Sequence, residues 1–190
     1  MRLALLLGPL FLASTTLASA QTKLLHGGDL GLTYQWVRTN TQPGSCGCFG
    51  LNGGGISASL VITPRWSAAA EVSGGHETSG PLTGNSLTLV SYLAGAKYQL
   101  LSPGDRHLRR TQPFGQVLLG EAHAGGGIAG AGDGTYAFAS RMGGGLDVLV
   151  GPHLKWRVAQ VDYYLTRFAN AGNSQQNNLL VAGGLLLHWK

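Results

Sequence analysis

The sequence predicts an all-β chain, an eight-stranded antiparallel up-and-down transmembrane β-barrel, and three observations carry that reading. A short export leader opens the chain. The 170 residues after it are poor in charge and hold no apolar run of the roughly 18 residues that a membrane helix needs. Eight segments then alternate apolar with small or polar residues at period two, as barrel strands do.

Met1 and Arg2 supply the positive start of the leader, and Leu3 to Leu12 its apolar stretch, broken at Gly8 and Pro9. Ala18-Ser19-Ala20 has the small-x-small pattern of a cleavage site. The ten-residue stretch is too short to span a bilayer as a helix. Residues 1–20 are therefore expected to be a signal peptide and 21–190 an outer-membrane β-barrel domain, with Gln21 the first mature residue. No cysteine follows the cleavage site, so a lipid anchor is not expected.

Composition narrows the class. The chain has 31 glycines, 44% hydrophobic residues and 11% charged residues, against a usual charged share of about 25%. A chain of this kind that enters lipid without helices must satisfy its backbone by closing a barrel. The rival architecture is a soluble secreted β-sandwich. Net charge is +5, and +4 once Arg2 is removed. Basic residues cluster in one short segment, at Arg106, His107, Arg109 and Arg110. Nucleic-acid binding calls for a broad basic surface with interleaved aromatics, which the sequence lacks. A barrel turn that meets the membrane surface or an acidic cell wall is the plainer expectation.

Each strand has its own pattern. Asp29–Thr39 sets Leu30, Leu32, Tyr34 and Trp36 against Gly31, Thr33 and Gln35. Gly54–Thr63 sets Ile56, Ala58, Leu60 and Ile62 against Ser57, Ser59 and Thr63. Trp66–Gly75 sets Ala68, Ala70 and Val72 against Ser67, Glu71 and Ser73. Ser86–Leu100 sets Tyr92, Ala94, Ala96 and Tyr98 against Gly95, Lys97 and Gln99. In Gln112–Ala124, Phe114, Gln116 and Leu118 share one face, and Val117, Leu119, Glu121 and His123 the other. The second set is expected inside, because an ionised carboxylate facing lipid is costly. Tyr136–Val150 sets Phe138, Met142, Leu146 and Val148 against Ala139, Arg141, Gly143, Gly145 and Asp147. Leu154–Phe168 sets Ala159, Val161, Tyr163 and Leu165 against Gln160, Asp162 and Tyr164. Asn178–Trp189 carries Leu179, Val181, Leu185, Leu187 and Trp189 outward.

Connectors alternate in character. Those after the odd strands are rich in Gly, Asn, Ser and Pro, while Thr63-Pro64-Arg65 and Gly151-Pro152-His153 are tight. Long external loops opposite short periplasmic turns is the outer-membrane pattern. Leu101–Thr111 departs from it as a longer periplasmic turn. Trp36, Trp66, Tyr98, Trp156 and Trp189 lie near strand ends, where amphipathic rings favour the membrane–water boundary.

The run Arg141-Met142-Gly143-Gly144-Gly145-Leu146-Asp147-Val148 is specific, as are Gln160 to Phe168 and Gln176-Asn177-Asn178. These segments resemble the C-terminal half of the small outer-membrane β-barrel family, related to the OmpA transmembrane domain. Strand one with its Gly-rich loop and Gln112-Pro113-Phe114 are similar to the same family. The resemblance implies residence in the bacterial outer membrane among its lipids, and delivery by periplasmic chaperones to the barrel-assembly machinery. That machinery reads a C-terminal strand of alternating apolar residues ending in an aromatic, here Leu185, Leu187 and Trp189, although Lys190 follows. No wall-binding domain follows the barrel, so wall tethering is not carried over.

Glu71, Lys97, Glu121, Arg141, Asp147 and Asp162 are the charges expected inside. An eight-stranded barrel is just wide enough to be filled by side chains, so a salt-bridge network that plugs the lumen is expected, with an ion path as the alternative. Cys46 and Cys48 are the only cysteines, candidates for a strained local disulfide, free thiols or intermolecular pairing. Two thiolates are too few for a structural zinc site, and no metal or cofactor is expected. For catalysis the chain offers His76, His123, His153 and His188 with Ser73, Ser79, Ser86 and Ser140, but no Gly-x-Ser-x-Gly elbow. The expected role is structural or surface-interacting, as a monomer without catalysis. Lipid modification using His123 or Ser140, and a narrow pore, are the alternatives.

Overall fold

The structure is a computed structural model that describes residues 27–39, 50–77, 87–101, 110–126, 135–168 and 174–189. The leader, Cys46, Cys48, Arg106, His107, Arg109, most of each long connector and Lys190 lie outside the described residues. Eight strands form: β1 (Gly28–Arg38), β2 (Gly50–Val61), β3 (Trp66–Glu77), β4 (Leu87–Gln99), β5 (Thr111–Gly126), β6 (Thr135–Leu149), β7 (Leu154–Thr166) and β8 (Gln176–Trp189). Each pairs antiparallel with its sequence neighbours, and β8 pairs with β1, so the sheet is a closed up-and-down barrel without an edge.

The register fixes the barrel's dimensions. A walk along paired residues leaves β1 at Gly28 and passes through Leu60, Ala68, Ala96, Val117, Met142, Tyr163 and Leu179. It returns to β1 at Arg38, ten residues on (38 − 28). Eight strands with that stagger tilt by about 40° and enclose a backbone cylinder of radius about 8 Å, a bore that side chains can fill.

Alternation sets the two faces. Outward residues form an apolar wall that includes Leu32, Ile56, Met142, Val161 and Leu185, each exposed. At the end that holds the tight turns, Trp66, Tyr98, Trp156 and Trp189 ring the wall. Trp66 and Tyr98 pack as tilted rings with centroids 4.8 Å apart, and Arg65 Nη1 donates to the Tyr98 hydroxyl at 3.1 Å. Toward the loop end, the Tyr34 and Tyr163 hydroxyls donate to Asn52 and Asn177. An apolar band between two aromatic girdles is the surface that a bilayer demands of a barrel.

Three expectations are corrected. The phase of β5 is inverted: Phe114, Gln116 and Leu118 are buried inside, whereas Val117, Leu119 and Glu121 are exposed outside. Either phase leaves polar side chains on the outer wall, Gln116 in one case and Glu121 with His123 in the other. The observed one gives Gln116 a lumenal partner in Asp162 and places Glu121 high on the wall, five positions before Gly126 ends the strand. Thr63 is not a lumenal strand residue. It stands exposed in the β2–β3 turn, where its hydroxyl accepts the Trp66 N–H at 3.0 Å. In β7 the register shifts between Arg157 and Gln160. A bulge there adds one residue and flips the phase below it, so Lys155 and Arg157 turn inward although they share parity with outward Val161.

Candidate functional site

The lumen is where this chain concentrates its polar side chains. Among the described residues it holds four acids, Asp29, Glu71, Asp147 and Asp162, and four bases, Lys97, Arg141, Lys155 and Arg157, all buried. Burial of charge at this density is tolerable only if every group is paired and hydrogen-bonded.

Two layers supply most of these partners, although Asp162 meets amides and no cation, and its Oδ1 has no hydrogen-bond partner in the described structure. The one nearer the tight turns is built on Asp147 and Asp29. Asp147 accepts Lys97 Nζ at 2.8 Å and Arg157 at 2.8 and 3.1 Å. Asp29 accepts Lys155 Nζ at 2.8 Å, faces His188 Nδ1 at 2.8 Å and takes the Ser59 hydroxyl at 3.4 Å. Phe114 lies beneath both cations of the Asp147 cluster, 4.1 Å from Lys97 Nζ and 4.7 Å from the Arg157 guanidinium. Gly145 makes room for that ring, whose tip is 2.9 Å from where a Cβ would stand.

The second layer centres on Arg141. Its Nη1 donates to Glu71 at 2.5 Å and its Nη2 to Ser73 at 2.5 Å and Ser91 at 3.1 Å, while its plane lies 4.7 Å from the Tyr164 ring. Gln35 Nε2 also donates to Glu71, at 2.5 Å. Asp162 takes two amides, Gln160 at 2.6 Å and Gln116 at 3.0 Å. A Cβ on Gly143 would run into the Asp162 side chain and the Val161 carbonyl, so glycine lets β6 and β7 close around the carboxylate. Gln160 joins the layers, because its side-chain oxygen accepts Arg157 Nη1 at 2.8 Å.

Above Arg141 the interior changes character. Val37, Leu51, Leu89, Ala122, Ala124, Ala139 and Leu180 turn inward at the loop end and form an apolar core across the bore. Between core and ionic layer lies a cavity of about 10 Å³, room for one water molecule, lined by Gln35, Ser73, Ser91, Arg141 and Tyr164. The Arg141 Nε and the Tyr164 hydroxyl are buried beside it without a hydrogen-bond partner in the described structure.

Five of the six charges expected inside are there, namely Glu71, Lys97, Arg141, Asp147 and Asp162. Glu121 is not. Sequence reasoning missed Asp29, Lys155, Arg157 and His188. Asp29 shares parity with inward Gly31 and Thr33, and that parity was its signal. Lys155 and Arg157 are hidden by the bulge, though two charges at outward parity in a lipid-facing strand are themselves a warning. Leu185, Leu187 and Trp189 face outward in β8 as expected.

Among the described residues the catalytic alternatives do not assemble; Ser79 and Ser86 lie outside them. Ser140 pairs with Leu119, four positions from His123 in β5, a separation of about 13 Å along the strand. His76 is engaged with the Thr88 hydroxyl at 2.9 Å. Asp29 and His188 make an acid–imidazole pair, but the hydroxyl beside them, Ser59, donates to the carboxylate and not to the ring. A nucleophile needs a base within hydrogen-bond reach. Among the described residues no cluster of three His, Cys, Asp or Glu side chains is arranged to hold a metal ion.

A closed eight-stranded antiparallel barrel with an apolar outer band and a side-chain-filled lumen defines the fold of the small bacterial outer-membrane β-barrels. Solved structures of that class superpose on it. Neisserial surface protein A matches at 13% identity and a TM-score of 0.62, over 85% of this chain and 97% of its own. OprG from Pseudomonas aeruginosa matches at 9% identity and 0.53, over 86% and 95%. The N-terminal β-barrel domain of OprF from the same organism matches at 13% and 0.51, over 85% and 97%. No family model and no curated protein matches the sequence.

Proposed function

We propose that the mature chain is an integral protein of the bacterial outer membrane with a structural or surface-interaction role and no turnover. The observation that supports this most is the filling of the bore. Four acids and four bases are locked in hydrogen-bonded layers, with an apolar core above them and space for little more than one water molecule between. An ion would have to break charge-assisted bonds and then cross a dry apolar layer. Such a lumen supports the wall and leaves the loops as the variable surface presented outside. Purified protein in planar bilayers is expected to pass no current above background. Steady stepwise conductance would overturn this reading in favour of a pore.

A further inference from the structure

One carboxylate stands apart from the lumenal network. Glu121 stands on the outer wall, and among the described residues no hydrogen bond or ion pair reaches its carboxylate. A charge on the lipid-facing wall asks for a partner. Its register partner in β6 is Phe138, and Phe138 in turn accepts the Arg167 N–H on its backbone oxygen at 3.0 Å and lies under the Arg167 guanidinium at 5.9 Å. Carboxylate, aromatic ring and guanidinium thus form one row across three strands. The two charges are exposed and separated by two strand spacings, about 10 Å. His123 and Tyr136 pack as tilted rings, centroids 4.5 Å apart, one step above the row, and apolar Leu119 lies one step below it.

We propose that this row binds the headgroup of a phosphorylated glycolipid in the outer leaflet, an inference that rests on the outer-membrane reading above. Arg167 takes a phosphate through charge-assisted hydrogen bonds. Phe138 packs against the apolar face of a sugar ring. Glu121 accepts from the hydroxyl or amide N–H groups that a sugar carries. The position fits, because the row sits where the apolar band gives way to polar side chains. A simple phospholipid fits less well: its phosphate serves Arg167 and an ethanolamine ammonium can serve Glu121, but it has no sugar ring to pack on Phe138, which stands between the two charges. Binding at this row couples the barrel to its leaflet on the β5–β7 side.

The test uses the chain folded in phosphatidylcholine nanodiscs doped with bis-phosphorylated lipid A, or with its dephosphorylated form, reading the thermal midpoint against lipid A content. A saturable rise is expected with the phosphorylated form only. Arg167→Ala is expected to raise the half-saturating content about tenfold, the loss of one charge-assisted hydrogen bond. Glu121→Gln should have a smaller effect, since the amide still accepts. Arg38→Ala, which removes another exposed outward arginine, on β1 and outside the β5–β7 row, should leave the curve unchanged. Equal stabilisation by dephosphorylated lipid A, or equal weakening by Arg38→Ala and Arg167→Ala, would overturn the site. Failure of the chain to insert into nanodiscs at all would overturn the outer-membrane reading beneath it.

Discussion

Replacement of Arg141 by methionine is expected to cost roughly 3–5 kcal/mol of unfolding free energy, the penalty for removing one partner of a buried ion pair. Methionine keeps the length of the stem against Tyr164 but leaves Glu71 buried, with only Gln35 still donating to it. Ser73 and Ser91 lose their shared donor and keep only each other, at 2.8 Å. Most of the loss is therefore the stranded carboxylate rather than lost packing. A second substitution, Glu71→Gln, should recover the larger part of it, because two apolar or neutral partners of similar shape cost far less than one unpaired charge. The check is urea unfolding in detergent micelles for the two single variants and the double variant. Midpoints should fall for Arg141→Met and rise again in the pair, with slopes unchanged. A single variant as stable as the parent would show that the ion pair is solvated and that the lumen is open to water.

Asp147→Asn should be at least as damaging, again about 3–5 kcal/mol. Asp147 is the one carboxylate that serves two cations, Lys97 and Arg157, and both lie over the same Phe114 ring. The isosteric amide keeps the volume and one acceptor oxygen but points N–H donors at cationic groups. Two like charges then face each other in a narrow bore. Adding Lys97→Met removes one of them and should restore more stability than it costs. If Asp147→Asn alone were neutral, the interior would have enough water to screen the pair, and the filled lumen would be wrong. The same urea titration reads both outcomes.

Much of this architecture is legible in the sequence. In β1, β3, β4, β6 and β8 a period-two pattern with one clearly apolar face assigns the side chains to their sides, because lipid on one side and a polar bore on the other leave little ambiguity. The phase of β5 is misread because each of its faces mixes apolar with polar residues: Gln116 sits among Phe114 and Leu118, Glu121 among Val117 and Leu119. The rule that a carboxylate avoids lipid decides wrongly there, since it ignores height along the wall. Glu121 stands high on the wall, five positions before Gly126 ends β5. Lys155 and Arg157 are missed for a different reason. A bulge changes parity without any local signature, and only the pairing with β8 reveals it. The apolar core of Val37, Leu51, Leu89 and Leu180 runs against the expectation of small or polar inward residues. At the loop end apolar side chains fill the bore instead.

That the chain is a closed barrel carried in the outer membrane is tested most directly by gel mobility. Protein from an outer-membrane fraction is compared with and without boiling. A closed barrel with no sheet edge resists detergent at room temperature, so the unboiled sample should migrate differently from the boiled one, and both should come from the membrane fraction. Identical mobility, with the protein recovered from the soluble periplasm, would contradict the closed membrane barrel and point to a secreted β-sandwich.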